Sequence, residues 1–334
     1  MFSCLRISEK AKEETEMKSM KNRRMFLEKL NASCDGKFDP ILTFSSKELI
    51  KATNNYDFKQ MLVWDSYYQL FKGSIRNSSI SVKKYGSSGV IGSMDRFLES
   101  AITDIAVGYK MKAHKNVLKL IGCCLETEFP ILVYEFVGTK ALSEVTLSWK
   151  CRLKVAADIA DAIAYLHTAL SRPVILRDMR PSAIMLGEGS EVKLMDFSLA
   201  ISIPDGESHI LTDICGKTGY GSPEYISSGY ATEKLDVFLF GVLLVQLLAG
   251  EERPKFMIGN LGYELTDHLK QFIEKHKLIE IVDCRIVNDI EQQELVAFGE
   301  VAVSCMCNEA EDRPIMSDVA KELERIYQSI RSLK

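Results

Sequence analysis

From Tyr67 to Tyr134 the chain runs in short alternating or apolar stretches, among them Ile80-Ser81-Val82-Lys83 and Ile131 to Phe136, and this period of two predicts a small sheet. One helical stretch, near 95 to 112, interrupts it. From Leu147 onward the period changes, because Leu153, Ala156, Ile159, Ala160, Ile163 and Leu166 recur at three and four behind Ser148, a residue able to cap a helix. Brief strands are expected at Val174 to Leu176, Ile184 to Leu186 and Val192 to Met195, the last two joined by a Gly187-Glu188-Gly189-Ser190 turn. Helices return at about 234 to 249, 294 to 306 and 315 to 330, the last opening behind Pro314. Val237 to Ala249, the longest apolar run, is interrupted by Gly241 and Gln246 and falls short of the ~18 residues of a membrane span, so it reads as a buried helix. Residues 1 to about 43 are charged, pass from the acidic Glu13, Glu14 and Glu16 to the basic K-N-R-R at Lys21 to Arg24, and read as an extension.

Length and charge narrow this picture without naming a partner. A chain of 334 residues fits two domains or one bilobal unit with a sizeable core. The 42 Lys and Arg against 46 Asp and Glu, with no long basic block, argue against nucleic-acid binding. Nine scattered cysteines form no zinc pattern, and the first twenty residues hold no apolar stretch of signal-peptide length. Reduced thiols in a cytosolic protein are the expectation. Phe2 excludes N-myristoylation, which needs glycine there, whereas Cys4 beside Arg6 is chemically open to acylation.

Between Leu176 and Phe197 the sequence reads L-R-D-M-R-P-S-A-I-M-L, a turn, then V-K-L-M-D-F-S. This resembles the protein kinase pattern H-R-D-L-K-P-x-N-I-L-L followed by D-F-G. Other elements fall in the same order: Lys83 in I-S-V-K, L-V-Y-E-F at Leu132 to Phe136, S-P-E at Ser222 to Glu224, Asp236, and Arg313 in D-R-P. The resemblance covers about residues 57 to 330. It implies an α+β, bilobal kinase-like domain over 44 to 330, with a small sheet-rich lobe at about 57 to 136 and a large helical lobe at about 140 to 330. F-S-S-K-E-L-I-K-A-T-N-N-Y at Phe44 to Tyr56, H-K-N-V-L-K-L-I-G-C-C at His114 to Cys124 and G-K-T-G-Y-G-S-P-E-Y at Gly216 to Tyr225 are similar to plant receptor-like cytoplasmic kinases. With R-R-M-F-L-E, C-D-G-K and P-I between Arg23 and Ile41, they resemble the immune pseudokinases that partner a coiled-coil nucleotide-binding leucine-rich-repeat receptor.

Phosphoryl transfer depends on positioning and charge stabilisation, so the kinase positions are weighed singly. Lys83 stands at the nucleotide lysine. Its helix partner, counted back from His114, is Asp104, with Glu99 the other candidate, and Asp is one methylene shorter than the usual Glu. The pair is then either absent or needs the helix closer. Aligning Leu70-Phe71-Lys72-Gly73 with V-Y-K-G puts Val63, Asp65 and Tyr68 where the glycine-rich lid has its glycines, which backbone amides need to approach phosphate. Asp65 adds a like charge, worth roughly 1 to 4 kcal/mol against one phosphate charge at about 4 Å. Asp178 holds the position of the base, but Leu176 replaces the usual His and Arg180 the usual Lys. Ala183 replaces the Asn that holds the second Mg²⁺, and a methyl group gives a hard cation no oxygen. Asp196 keeps the other metal carboxylate, followed by Ser198 in place of Gly. Glu224, Asp236 and Arg313 are architectural in the family. Arg177 reads either as a receptor for an acidic or phosphorylated segment around Asp205, Glu207, Ser208, Thr212, Asp213 and Thr218, or as a locally paired structural arginine.

These losses define the first functional expectation, a catalytically impaired or inactive kinase-like adaptor or decoy in plant innate immunity. The resemblance implies as partners a leucine-rich-repeat immune receptor, other receptor-like cytoplasmic kinases or pseudokinases, and pathogen effectors. No cofactor is required on this reading, and ATP/Mg binding is weak. The expected location is cytoplasmic, peripheral to the plasma membrane through its partners. The second expectation is a weakly active serine/threonine kinase in defence or temperature-linked growth signalling, since Lys83, Asp178 and Asp196 survive.

Overall fold

A computed structural model describes residues 16–29, 41–86, 94–188, 191–216, 221–250, 271–275 and 277–332. Cys4, Cys34, Thr218 and the Gly189-Ser190 end of the expected turn lie outside them. The described residues pack as two compact units. The first comprises those up to Ala141 together with Met185–Glu188 and Met195–Ser198, and the second holds the remainder.

In the first unit six strands order as β1-β5-β6-β4-β3-β2. They are β1 (Leu42–Thr43), β2 (Met61–Trp64), β3 (Tyr68–Ile75), β4 (Ser78–Tyr85), β5 (Leu120–Cys124) and β6 (Ile131–Glu135). All pairings are antiparallel except β1 with β5. Alternation sorts the two faces. Ile80, Val82, Ile131 and Val133 meet Leu49 of helix α2 (Ser46–Ala52) on one side. Leu70, Tyr85, Leu132 and Tyr134 meet Ile102 and Ile105 of helix α3 (Met94–Met111) on the other. Lys83, two positions before Tyr85, therefore projects toward α3. The segment S-S-K-E starts α2 because Ser45 accepts from Glu48 N–H while the Glu48 carboxylate takes Ser45 N–H at 2.8 Å, a capping box.

Part of the amino-terminal extension belongs to this unit. Residues 16–29 form helix α1, whose Asn22 Nδ2 donates to the carbonyls of Leu125 and Thr127 at 3.2 and 2.9 Å and whose Phe26 enters the α3-facing core. Periodicity alone gave no docking surface for this stretch, because only two of its residues, Asn22 and Phe26, are buried.

The second unit is built on α4 (Trp149–Thr168), α5 (Pro223–Ser228), α6 (Glu233–Ala249), α7 (Gln292–Cys305) and α8 (Met316–Ser332). Helix α6 is apolar nearly all round and correspondingly buried, as its sequence predicts. Ser148 stands at the N-cap of α4, but its side chain makes no capping bond. Arg152 instead fastens that end of the helix, reaching the Leu247 carbonyl at 2.8 Å and Asp283 at 2.5 Å. No helix among the described residues is long and apolar enough to cross a membrane.

Candidate functional site

In the first unit, β4 carries Lys83, α3 carries Asp104 and the Met195–Ser198 segment carries Asp196. Lys83 Nζ lies 2.7 Å from Asp104 Oδ2 and 2.9 Å from Asp196 Oδ1, and neither Lys83 nor Asp104 has any exposed side-chain surface. The shorter Asp therefore does form the ion pair, and Asp104 rather than Glu99 is the helix partner. Asp104 also accepts from Tyr85 OH at 2.7 Å, Tyr134 OH at 3.2 Å and the Phe197 amide at 3.0 Å.

Burial opposes charge on Lys83, but its two carboxylate neighbours outweigh that and hold its pKa above the ordinary value. Burial, aided by Asp196, raises Asp104 against the pull of Lys83. Two carboxylates thus share one cation.

The lid positions have become an ordinary hairpin. Val63 is buried in the sheet, and Asp65 turns its carboxylate onto the Tyr67 amide at 3.0 Å while its own amide donates to the Tyr68 carbonyl at 2.9 Å. Such a turn is a common use of Asp and gives the Asp65 carboxylate a backbone partner. Tyr68 is fully buried with its ring face over Lys83, the ammonium lying 3.8 Å from the ring centroid. The roles of Tyr85, Tyr134 and the Tyr68 ring were not legible from the motifs; Tyr85's period-two spacing from Lys83 was the available signal.

In the second unit, Asp236 at the start of α6 accepts from the Leu176 and Arg177 amides at 2.7 and 2.9 Å and contacts His167 Nε2 at 2.8 Å. This holds Arg177 at φ 65°, a left-handed conformation costly for a residue with a Cβ. The Arg177 side chain donates to the Leu199 carbonyl at 2.6 Å and to Thr212 Oγ1 at 2.9 Å, the local structural alternative. Arg180 Nε lies 2.6 Å from Asp178 Oδ2, so the base position is ion-paired with the residue that replaces the usual Lys. Ala183 is buried with only its methyl group to offer. Arg313 meets Glu224 through two bonds of 2.7 and 2.8 Å. Burial tends to raise Glu224, but Arg313 and Ser222 prevail and hold it below its ordinary value.

ATP with Mg²⁺ needs a reachable lysine and oxygen ligands for the ions. The Lys83–Asp104 pair is the arrangement the family uses and Asp196 keeps one oxygen donor, whereas the buried methyl of Ala183 offers an ion no ligand; among the described residues there is no cluster of three His, Cys, Asp or Glu.

A protein kinase domain profile matches residues 71–323, and with the sheet-rich and helical units this places the chain in the protein kinase domain family, an α+β fold. Among its relatives is "Serine/threonine-protein kinase ZRK1" of Arabidopsis thaliana, 34% identical over 97% of this chain and 96% of the relative. "Non-functional pseudokinase ZED1" of the same plant is 37% identical over 92% of this chain and 95% of the relative. "Wall-associated receptor kinase-like 1", also from Arabidopsis, is 33% identical over 94% of this chain but only 43% of its own length. Relatives named as a kinase and as a pseudokinase thus both align along nearly the whole chain.

Proposed function

We propose that this chain is a catalytically inactive protein kinase-like adaptor or decoy of plant innate immunity, cytoplasmic, that binds a leucine-rich-repeat immune receptor and receptor-like cytoplasmic kinases or effectors. The observation that carries the inactive reading is the catalytic loop: Asp178 is ion-paired with Arg180 at 2.6 Å, and Ala183 supplies no metal ligand two residues past Pro181. A hard cation needs oxygen ligands, and a methyl supplies none. Meanwhile Glu224, Arg313 and Asp236 keep bonds that serve the fold alone, so the scaffold is maintained without the chemistry. The whole-chain similarity to a protein named a non-functional pseudokinase supports the same reading, and the quoted motifs of the extension support the receptor as partner.

The test pairs chemistry with capture. Purified protein given radiolabelled ATP and Mg²⁺ is expected to incorporate no phosphate above an Asp178→Ala control, and to co-purify with a coiled-coil leucine-rich-repeat receptor. The second reading, a weak serine/threonine kinase, is favoured by the intact Lys83–Asp104 pair and by the relative named a serine/threonine-protein kinase. Incorporation abolished by Asp178→Ala establishes that reading and removes the first; failure to co-purify with any such receptor removes the partner.

A further inference from the structure

We propose that Tyr68 is a built-in occupant of the lysine site, closing Lys83 to nucleoside polyphosphates. The inference rests on the non-catalytic reading and assigns one residue to it. An ammonium has three protons to donate. At Lys83 one points to Asp104 Oδ2 and one to Asp196 Oδ1, at 2.7 and 2.9 Å, and the remaining side of the nitrogen is covered by the Tyr68 ring at 3.8 Å from its centroid. A buried cation against a ring face makes an attractive contact, so the ring is a partner of the lysine as well as a cover.

The surrounding structure holds the ring in place. Tyr68 lies in β3 directly opposite Tyr85 of β4, and the two rings pack at 6.0 Å. The adjoining turn is closed by the Asp65 amide on the Tyr68 carbonyl and by Gly86 N–H on the Tyr67 carbonyl at 3.1 Å. The Tyr67 ring packs tilted against Phe97 of α3 at 6.1 Å, and Phe97 likewise against Phe129 at 5.5 Å, so the hairpin is tied to the helix that also carries Asp104. A phosphate group reaching Lys83 would have to displace a fully buried aromatic ring from this arrangement. The carboxylates are a lesser obstacle, since a divalent cation arriving with the phosphates would compensate their charge.

The experiment measures binding of a fluorescent ATP analogue, with and without Mg²⁺, to wild type, Tyr68→Phe and Tyr68→Val. Valine suits a strand and vacates the space of the ring; phenylalanine keeps the ring and removes only the hydroxyl. Wild type and Tyr68→Phe are expected to bind weakly and alike, and Tyr68→Val about ten-fold or more tighter, an easily read difference. Wild type binding as tightly as Tyr68→Val, or a folded Tyr68→Val that binds no better than wild type, overturns the proposal.

A second measurement needs no variant: labelling of wild-type Lys83 by a nucleotide acyl phosphate, followed by mass spectrometry, is expected to be absent. Rapid labelling there overturns the proposal even if Tyr68→Val fails to fold. The two readings separate cleanly. Wild type that binds nucleotide but transfers no phosphate removes the role of Tyr68 and leaves the adaptor; Tyr68→Val that binds without transferring supports both.

Discussion

Arg313 spends its guanidinium completely. Its five N–H groups go to two Glu224 oxygens and to the carbonyls of Cys307, Lys234 and Asn308, over the Phe238 ring. Glu224 in turn accepts from Ser222 at 2.6 Å. Glu224→Gln keeps the shape and removes the charge, and is expected to cost about 2 kcal/mol in urea unfolding near neutral pH, as for bonds to charged groups. The pH dependence has a definite sign. Because the folded-state pKa of Glu224 lies below the ordinary 4.5, its contribution is complete above that value and is lost as pH falls through the folded pKa. The difference between wild type and Glu224→Gln should therefore shrink on acidification below about pH 4.5, and a constant difference would refute the assignment.

At the scale of elements, one glycine decides how the sheet gains an edge strand. A Cβ at Gly122 would lie 2.3 Å from the Leu42 carbonyl oxygen and 2.6 Å from the Phe44 ring, both in the segment that pairs with β5. Backbone atoms cannot yield that distance without moving β1. Gly122→Ala is expected to release β1, so that the Phe44 amide, bonded to the Cys123 carbonyl at 3.0 Å, loses its protection in hydrogen exchange while β4 and β6 amides keep theirs. Helices were the most legible elements, because an apolar stripe needs only local spacing; α3, α4, α6, α7 and α8 fall within a few residues of expectation. Helix α1 and strand β1 were not, because α1 buries only Asn22 and Phe26, β1 is only Leu42–Thr43, and both are specified by contacts with residues far along the chain, Asn22 with Leu125 and Leu42 with Gly122.

Over the whole molecule the thiols report on the integrity of the fold. Burial pushes Cys123 and Cys305 up to about 12, so both are protonated and inert in the native state, in line with structural rather than redox use. Cys284 is exposed. A thiol reagent is expected to modify Cys284 in the native protein and to reach Cys123 and Cys305 only on unfolding; early modification of Cys305 would contradict the packing described.

Sequence by itself determined the family and which chemical group stands at each kinase position, including the methyl of Ala183 and the carboxylates of Asp178 and Asp196, because order and spacing along the chain are covalent facts. Only tertiary structure decided what those groups touch. Whether Asp104 reaches Lys83, whether Tyr68 points into the sheet or over the ammonium, and whether Asp178 meets Arg180 depend on side-chain directions and on packing between segments as distant as the 113 positions separating Lys83 from Asp196. Full burial of Lys83 and Asp104 makes the pairing of those two charges a condition of folding. Two carboxylates and the Tyr68 ring gathered around one ammonium are thus a product of packing that the order of residues along the chain does not display.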